Sequence, residues 1–372
     1  MWSFTIAFGL PDWLFYEYPL PSPRMDPIIA ELAERVRKAA ADRRPLRIRG
    51  SGSKDFYAHK LEGDLLETSA YRGIVDYERS ELVITARAGT PLAEIEEALA
   101  QGGQMLACEP PYFGSRATIG GCVAAGFSGP RRASSGSVRD FVLGVRALDS
   151  QGQDLRFGGQ VMKNVAGFDL SRLMTGSFGT LGVLLEVSLK VLPRPEQDIS
   201  LRFEMDEARA IETMNRWAAQ PLPISATCYA DSALSVRLSG SKLGVEAAHT
   251  KLGGEPIAGG EAFWRSVREQ TPEVFRGTLW RLSIKPTTPP LRLAGKQVIE
   301  WNGSLRWLAT DAPADEIFAA ARGAGGRATR FRGVGGVPIM QLDSGVLALH
   351  KRIKAALDPA GIFGPHRLHP DF

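Results

Sequence analysis

The sequence contains few cysteines, and none of them is spaced as a metal ligand. Cys108, Cys122 and Cys228 are the three cysteines among 372 residues, and no Cys-x-x-Cys pair occurs. Zinc and iron–sulfur sites are built from clustered thiolates, so we expect no metal site in this chain. An odd, sparse set of cysteines is typical of a reduced cytoplasmic protein. If electrons leave through an iron–sulfur cluster, another chain must carry that cluster.

The chain also lacks a strong excess of one charge. Its 45 basic and 41 acidic side chains give a net charge of +4, and no block of like charge stands out. A nucleic-acid-binding protein usually concentrates Lys and Arg on one face, so we expect no nucleic-acid partner. The slight surplus of positive charge fits small anionic ligands such as a diphosphate or a carboxylate.

Long apolar runs are absent as well. No segment approaches the roughly 20 apolar residues that a membrane-spanning helix requires. The aromatic, proline-rich residues 1–24 have neither the basic start nor the continuous apolar stretch of a signal peptide. We therefore expect residues 1–25 to form a poorly ordered N-terminal extension. A surface that anchors the chain to a partner or a membrane is the alternative.

The length of the chain and its mixture of predicted strands and helices indicate two α+β units. A chain of 372 residues exceeds what one hydrophobic core usually serves. Predicted strands cover residues 45–49, 81–87, 141–148, 182–191, 226–229, 234–238, 279–284 and 304–308. One predicted helix starts at the cap 26–27 and another at the cap 90–91, and two further helices are predicted at 207–218 and 314–322. Pro193 and Pro195 interrupt this pattern, so we place the domain boundary there.

The first candidate cofactor-binding segment directly follows a predicted strand and consists of Arg49, Gly50, Ser51, Gly52, Ser53 and Lys54. Glycines let the backbone turn sharply and bring successive N–H groups onto a phosphate, while the serines and the lysine add donors. An isolated Gly-x-Gly is more often a tight turn. A nicotinamide-binding loop would need Gly-x-Gly-x-x-Gly at the start of a helix, but position 55 is Asp and no third glycine follows. The pattern therefore disfavours a nicotinamide cofactor.

Three further glycine-rich segments follow in order. In residues 117–126, Thr118 can cap a helix whose first turn carries almost no side chains. A diphosphate or the edge of a flavin could therefore approach its backbone N–H groups. The alternative is a helix that packs tightly through its small residues. Residues 135–144 form a turn that runs into a strand, and residues 163–170 are followed by a Gly-Ser-x-Gly-Thr-Leu-Gly-Val motif at 176–183. Each segment alone is compatible with ordinary turn chemistry. All four in this order are harder to explain by turns.

This order of motifs resembles the FAD-linked oxidases of the vanillyl-alcohol oxidase and p-cresol methylhydroxylase (PCMH) type. Longer motifs, among them residues 108–112, 136–144 and 161–173, resemble the FAD-binding E subunit of bacterial glycolate oxidase (glycolate dehydrogenase). The resemblance runs from about residue 26 to the C-terminus. It implies a PCMH-type FAD-binding domain of two α+β subdomains at 26–198, a smaller α+β cap domain at 199–345, and a C-terminal segment, 346–372, that returns to the FAD-binding domain.

The resemblance also implies a function. The chain is expected to take part in oxidising glycolate, a small 2-hydroxy acid, to glyoxylate, with a paralogous FAD-containing catalytic subunit and an iron–sulfur subunit as partners. A stand-alone FAD-dependent oxidase or dehydrogenase of another 2-hydroxy acid, such as D-lactate, is the alternative. We expect the chain in the cytoplasm, or peripherally bound at the inner face of the plasma membrane through the complex.

The resemblance assigns cofactor contacts motif by motif. Residues Arg49 to Lys54 would form the diphosphate loop. The remaining contacts would be Pro110, Pro111, Thr118, Ile119, Gly120 and Gly121 along the flavin and its ribityl chain, Gly136, Ser137 and Asp140 at the adenosine half or its supporting loop, and Gly182 and Val183 over the adenine. Ser53 stands where covalent flavoproteins of this superfamily often carry His. FAD is therefore expected to bind non-covalently, with His59 the nearby alternative for a covalent link.

The second half of the sequence offers few groups for substrate chemistry. Oxidising a 2-hydroxy acid through flavin needs a cation for the carboxylate and a base for the hydroxyl proton. Arg281, Arg306 and Arg330 could reach a carboxylate, but long arginine side chains more often bridge surface acids or cover apolar surface. His366 and His369 lie in a proline-rich tail, where surface histidines are the simpler interpretation.

Lys163 and Asn164 lie in a segment on the expected flavin side and are better placed, but the sequence identifies no general base. Two hypotheses remain open for this chain. It oxidises the 2-hydroxy acid itself, or its FAD relays electrons between a catalytic flavoprotein and an iron–sulfur chain. The scarcity of polar groups in the second half favours the relay.

Overall fold

The computed structural model describes residues 26–159, 169–333 and 340–372. The helices are α1 (Pro27–Asp42), α2 (Leu92–Gln101), α3 (Ile119–Ala125), α4 (Arg132–Ser135), α5 (Val138–Phe141), α6 (Leu170–Leu173), α7 (Glu207–Ala218), α8 (Lys242–Leu252), α9 (Gly260–Glu269), α10 (Ala314–Gly323) and α11 (Ser344–Leu357). The strands are β1 (Leu46–Arg49), β2 (Asp64–Glu67), β3 (Ile74–Glu78), β4 (Val83–Arg87), β5 (Gln104–Met105), β6 (Val142–Leu148), β7 (Asp154–Gly158), β8 (Val183–Lys190), β9 (Leu192–Pro193), β10 (Gln197–Glu204), β11 (Ile224–Ala230), β12 (Ala233–Gly240), β13 (Glu255–Pro256), β14 (Leu279–Ser283), β15 (Lys296–Glu300), β16 (Leu305–Ala309) and β17 (Arg327–Arg332).

The first half is built on a five-stranded antiparallel sheet in the order β3-β4-β8-β6-β7. The central strand, β8, is buried on both faces at its start, where Leu184 packs in one core and Val183 and Leu185 pack in another. From Leu185 to Lys190 it alternates buried apolar residues with half-buried polar ones. Helix α2 buries Leu92, Ile95 and Leu99 against this sheet, in the same core as Ile119 of α3. The core therefore fixes the start of α3 next to the sheet.

A second, smaller layer holds the glycine loop. Asp26 caps α1 by accepting a hydrogen bond from the Ile28 amide at 2.9 Å. The buried face of α1 packs on the parallel pair β1–β2. Ile362 and Phe363, which follow α11, complete that core, and Phe363 forms a β-bridge with Leu46 at the start of β1. The last residues of the chain thus support the strand that leads into the loop.

The second half carries an eight-stranded sheet in the order β13-β10-β12-β11-β15-β16-β14-β17. Helices α7 and α8 bury their apolar residues, including Trp217 and Val245, on one part of this sheet. Helix α10 packs Ile317 and Phe318 on the part that contains β14. The opposite face of β14, β15 and β16 carries Trp307, and Trp301 follows β15 directly. Both tryptophans pack in one core with Tyr57 and Phe178 of the first half.

The mixed α+β class predicted from the sequence is confirmed, with some corrections to single elements. Thr90 does not cap α2: Pro91 is the cap residue, and the Thr90 hydroxyl instead donates to the Arg87 carbonyl at 2.7 Å. The sequence also gave no sign of α8, α9 and α11 or of β10 and β15. Because β10 begins at Gln197, the sheet of the second half starts slightly before the predicted boundary at 198/199.

Candidate functional site

The loop after β1 lines a cleft, here called the glycine cleft, between the small layer and the five-stranded sheet. The loop residues that line it are Arg49, Gly50, Ser51, Gly52, Ser53, Lys54 and Asp55, and they face Gly120, Gly121, Ala124, Ala125, Phe178, Gly179, Gly182 and Arg367 across the cleft. Loop, helix α3 and the turn before β8 meet here because the core packing of the sheet brings their ends together. Nine of the residues predicted to contact FAD therefore line one cleft.

Backbone groups dominate the surface of the glycine cleft. Gly52 has φ +78°, a left-handed conformation that favours glycine, and a Cβ there would collide with the Arg49 guanidinium. A Cβ on Gly120 would lie 2.6 Å from the Ala88 Cβ. Within the described part of the chain, the amide N–H groups of residues 50–54 have no hydrogen-bond partner. Free amides in a tight, glycine-lined turn form a concave donor set of the kind that binds phosphate.

Cationic side chains border the same cleft. Arg49 and Arg367 both approach Asp55, at 3.3 Å and 3.8 Å. The Nε of Arg367 is buried and has no hydrogen-bond partner among the residues that the structure describes. Lys54 is 7% exposed and donates to the Tyr112 carbonyl at 3.2 Å, and burial lowers the pKa of its ammonium group. The cleft thus offers an unsatisfied guanidinium nitrogen and free amides to an anion, which is the donor set that a diphosphate needs.

Several predicted contact residues lie outside the glycine cleft. Thr118 is buried and caps α3, accepting from the Gly121 amide at 3.2 Å. Ile119 and Val183 are buried, since their apolar side chains pack in the two cores of the first half. Asp140 accepts from the amide and hydroxyl of Ser137 and forms a capping box.

Some of the other predicted contacts line a second space, which lies between the two halves of the chain. Pro111 and Ser137 line it, whereas Pro110 is buried and does not. Gly136 has φ +104° and ends α4 just before the capping box, which is a structural role. Lys163 and Asn164 lie outside the described residues.

This second space, here called the cap cavity, has a volume of about 300 Å³ and lies between the two halves of the chain. Loops 125–139 and 175–178 form one wall, and β14, β15 and β16 form the other. Ala125 and Phe178 line both the cap cavity and the glycine cleft, so the two spaces adjoin. The ring of Tyr57 stacks on Phe178 with centroids 4.9 Å apart and closes the cavity on that side.

Two arginines that line the cap cavity pack on the ring of the same tryptophan. The guanidinium carbon of Arg132 lies 4.4 Å from the centroid of the Trp301 ring, and that of Arg281 lies 5.4 Å from it. Burial lowers the pKa of both arginines, which nonetheless stay charged at neutral pH. Neither guanidinium has an ion-pair partner among the described residues. Arg281 therefore covers the apolar ring of Trp301, which is one of the roles expected from the sequence, and it also lines the cap cavity.

The other two arginines considered from the sequence have structural surroundings. Arg306 is fully buried, donates to the carbonyls of Gly303 and Thr288, and lies 3.6 Å from Glu207. Arg330 is 8% exposed and does not line the cap cavity. Neither is placed to receive a ligand in that cavity.

Glu300 is the carboxylate among the described residues of the cap cavity wall. It is 4% exposed, and its Oε1 accepts a hydrogen bond from the Trp307 indole at 2.7 Å. Burial raises the pKa of Glu300 to about 7, while the Trp307 hydrogen bond and the charge of Arg281 oppose that rise. A carboxyl group with a pKa near neutrality is suited to accept or release a proton.

Sequence reasoning did not single out Arg132, Glu300 or Arg367. They come from α4, from the end of β15 and from the C-terminal segment, and no linear motif joins them. Within residues 26–159, 169–333 and 340–372, no group of three or more His, Cys, Asp or Glu side chains could hold a metal ion. In the same ranges, no helix is both long and apolar enough to cross a membrane.

Comparison with known proteins identifies the family. The FAD binding domain family matches residues 29–158. Glycolate oxidase subunit GlcE of Escherichia coli is 51% identical over 343 residues, which are 91% of this chain and 97% of the relative. The chain belongs to the GlcE family of FAD-linked oxidase subunits. The resemblance inferred from the sequence motifs and the FAD cofactor are thereby confirmed.

More distant relatives of the GlcE family share only part of the chain. Glycolate oxidase subunit GlcD of Bacillus subtilis is 32% identical over 40% of this chain and 32% of its own length. D-lactate dehydrogenase of Anaerostipes hadrus is 32% identical over 37% of this chain and 29% of its own length. An alkyldihydroxyacetonephosphate synthase structure superposes with a TM-score of 0.61 at 15% identity, over 91% of this chain and 76% of that one. That last likeness shows the fold alone.

Proposed function

We propose that this chain is the FAD-binding subunit of a glycolate oxidase and takes part in the flavin-dependent oxidation of glycolate to glyoxylate. The observation that carries the proposal is the 51% identity to GlcE, which extends over 97% of that subunit. The D-lactate dehydrogenase match covers 29% of its length. The alternative of a stand-alone D-lactate-oxidising enzyme is therefore less well supported.

In this proposal the glycine cleft holds the diphosphate of FAD. The amides of residues 50–54 and the guanidinium of Arg367 donate to the phosphate oxygens, and Arg49 supplies further positive charge. The glycines at 120, 121 and 182 allow the cofactor to approach the backbone. Ser53 lines the cleft where related covalent flavoproteins carry a histidine, which supports non-covalent binding. When bound, FAD supplies the acceptor for two electrons.

The remaining predicted contacts are part of the same proposal. Pro111 and Ser137 line the adjoining cap cavity and are proposed to contact the flavin side of the cofactor. Thr118 supports the loop from below, since its hydroxyl would lie 2.5 Å from a Cβ on Gly50. Pro110, Ile119, Gly136, Asp140 and Val183 are proposed to act through the backbone or by holding the lining loops in place.

We further propose the domain division and partners that this function requires. The five-stranded sheet and the small layer belong to the FAD-binding domain at 26–198, and most of the eight-stranded sheet belongs to a cap domain at 199–345. A second FAD-containing subunit and an iron–sulfur subunit complete the complex, at the cytoplasmic side of the membrane. Cys108 and Cys122 lie in the core of the first half and Cys228 in a different core, which agrees with electrons leaving through another chain.

The substitution Gly52→Asp tests the cofactor site. It places a carboxylate among the phosphate donors at a residue with φ +78°, and we expect it to weaken FAD affinity at least tenfold. Gly253→Asp is the matched control, because Gly253 has φ +68°, ends α8 and has nothing within 4 Å of its Cβ position. The measurement is the ratio of flavin absorbance to protein after gel filtration, with circular dichroism as a check on folding.

Dye reduction by the complex, co-purified with its partner subunits, tests whether the chain takes part in glycolate oxidation. We expect glycolate-dependent reduction of an artificial dye by the complex containing the wild-type chain or Gly253→Asp, and its loss with Gly52→Asp. Dye reduction by the purified chain without partners, with D-lactate and not with glycolate, would support the stand-alone alternative. Full flavin retention by a folded Gly52→Asp protein would contradict the assignment of the cleft.

A further inference from the structure

The cap cavity carries more positive charge than its own acids neutralise. Four arginines, Arg132, Arg139, Arg268 and Arg281, line it together with Glu300. Arg268 is already paired with Glu269 at 2.8 Å, whereas Arg132 and Arg281 have no ion-pair partner among the described residues. A buried charge without a partner is costly. The cavity is therefore complementary to a small anion.

We propose that the cap cavity is this chain's own site for a small 2-hydroxy acid, whose carboxylate is held by Arg281 and Arg132 and whose hydroxyl proton is accepted by Glu300. The inference rests on the proposed function, because the cavity adjoins the glycine cleft through Ala125 and Phe178. It assigns the substrate-oxidising role to this subunit, whereas the sequence alone favoured electron relay.

The geometry gives each group a separate task. Arg132 and Arg281 both pack on the Trp301 ring, with guanidinium carbons 4.4 Å and 5.4 Å from its centroid, so one indole positions both cations at the cavity wall. Trp307 fixes Oε1 of Glu300 by its 2.7 Å hydrogen bond, and no partner for Oε2 is found among the described residues. Arg281 on β14 and Glu300 on β15 belong to one rigid sheet, which suits positioning of a substrate.

The proposed reaction balances with FAD as the acceptor. The C–H bond at the carbinol carbon breaks and its hydrogen leaves with the electron pair to oxidised flavin, the O–H proton passes to Glu300, and the C–O single bond becomes the carbonyl of a 2-oxo acid. Glu300 must be deprotonated to accept that proton. An anion bound beside Glu300 raises the pKa of the carboxyl further, so binding of the anion and protonation of Glu300 are coupled.

Several other charged or titratable groups face Glu300. Arg281 favours its ionised form, and Glu109 from the first half of the chain disfavours it. Cys228 on the neighbouring strand β11 interacts with Glu300, but burial raises the pKa of that thiol well above its usual value, so it stays neutral. Tyr57 and Arg132 lie on the facing wall, and burial raises the pKa of the Tyr57 phenol. Glu300 is therefore the group that titrates near neutrality.

Calorimetric titration of the FAD-loaded chain with oxalate, a small dicarboxylate with no carbinol hydrogen to lose, tests the site without turnover. We expect oxalate to bind more tightly at pH 6 than at pH 8, with proton uptake at pH 8 shown by measurements in two buffers of different ionisation enthalpy. Arg281→Met and Arg132→Gln should each weaken binding roughly 10- to 100-fold, because each removes one charge-assisted hydrogen-bonding group. Glu300→Gln should abolish the pH dependence and the proton uptake.

The matched control is Arg276→Gln, which removes an exposed arginine near β14 that does not line the cavity and should leave oxalate affinity unchanged. Flavin content of every variant shows whether the variant folds. Wild-type affinity in folded Arg281→Met and Arg132→Gln proteins would overturn the inference, as would oxalate binding that occurs only without FAD. If the complex still oxidises glycolate in that case, the inference fails and the proposed function stands; if the wild-type chain retains no FAD, the proposed function fails.

Discussion

At the scale of single residues, Glu300 shows how burial turns an ordinary carboxyl group into one that titrates near neutrality. The carboxyl loses water because β15 places it under the cap cavity, and the Trp307 indole satisfies only one of its oxygens. Its pKa is raised from 4.5 to about 7. In the folded protein, Glu300 therefore binds a proton more tightly than it does in the unfolded chain.

This shift has a defined consequence for stability. A carboxyl group with a raised pKa stabilises the folded state fully below pH 4.5, and that contribution is lost as the pH rises from 4.5 to 7. Glu300→Gln keeps an oxygen acceptor for Trp307 but has no proton to lose. From pH 5 to pH 8 we expect the wild type to lose up to about 3 kcal/mol of unfolding free energy relative to this variant, measured by urea denaturation. A difference that stays constant with pH would contradict the raised pKa.

The glycine loop could be predicted from the sequence, whereas the charged residues of the cap cavity could not. Residues 49–54 are contiguous, so their glycines and donors form a local signal, and all of them line the glycine cleft. Arg132, Arg281 and Glu300 come from three distant elements that meet only because the eight-stranded sheet faces the loops of the first half. No spacing along the chain records that meeting, and this is why the sequence identified no general base.

At the scale of elements, a buried charge network fixes the C-terminal segment against the first half of the chain. Lys354 on α11 donates to the carbonyls of Thr180 and Phe363 and lies 2.6 Å from Asp358. Asp358 in turn accepts from the amides of Ile362 and Phe363. Because Phe363 pairs with Leu46, this network supports the strand that ends in the glycine loop.

Removing one member of that network should be costly. Lys354→Met leaves the fully buried Asp358 carboxylate without its cation, and we expect a loss of about 3–5 kcal/mol in unfolding free energy. Lys351→Met is the matched control on the same helix, because its partner Asp371 and its own side chain are 41% and 47% exposed, so the loss should stay under about 1 kcal/mol. Equal losses in urea denaturation would show that the buried network does not hold the segment.

Helices and strands with a capping residue or a clear apolar periodicity could be predicted from the sequence, and those without could not. Helix α7 has the predicted bounds because Asp206 caps it, accepting from the Arg209 amide at 2.8 Å, and its buried residues recur at helical spacing. Helix α9 begins after Gly259, which offers no side chain to cap it, and was not predicted. Strands β10 and β15 owe their stability to neighbours in the eight-stranded sheet rather than to their own composition.

At the scale of the whole molecule, two glutamates connect the first half of the chain to the second. Glu109, from the first half, pairs with Arg237 on β12 at 2.8 Å and with Arg131 at 3.3 Å. Glu269, at the end of α9, accepts from the amides of Tyr112 and Phe113. These contacts join the two halves of the chain next to the cap cavity, which Phe113 also lines.

In the proposed mechanism, this chain holds FAD next to a substrate cavity of its own. The most direct test of this mechanism is anaerobic mixing of the purified, FAD-loaded chain with glycolate, followed by the visible absorbance of the flavin. We expect glycolate to bleach the flavin without any partner subunit, and Arg281→Met to slow the bleaching while retaining FAD. No bleaching until the partner flavoprotein is added would contradict the mechanism and assign the chain to electron relay.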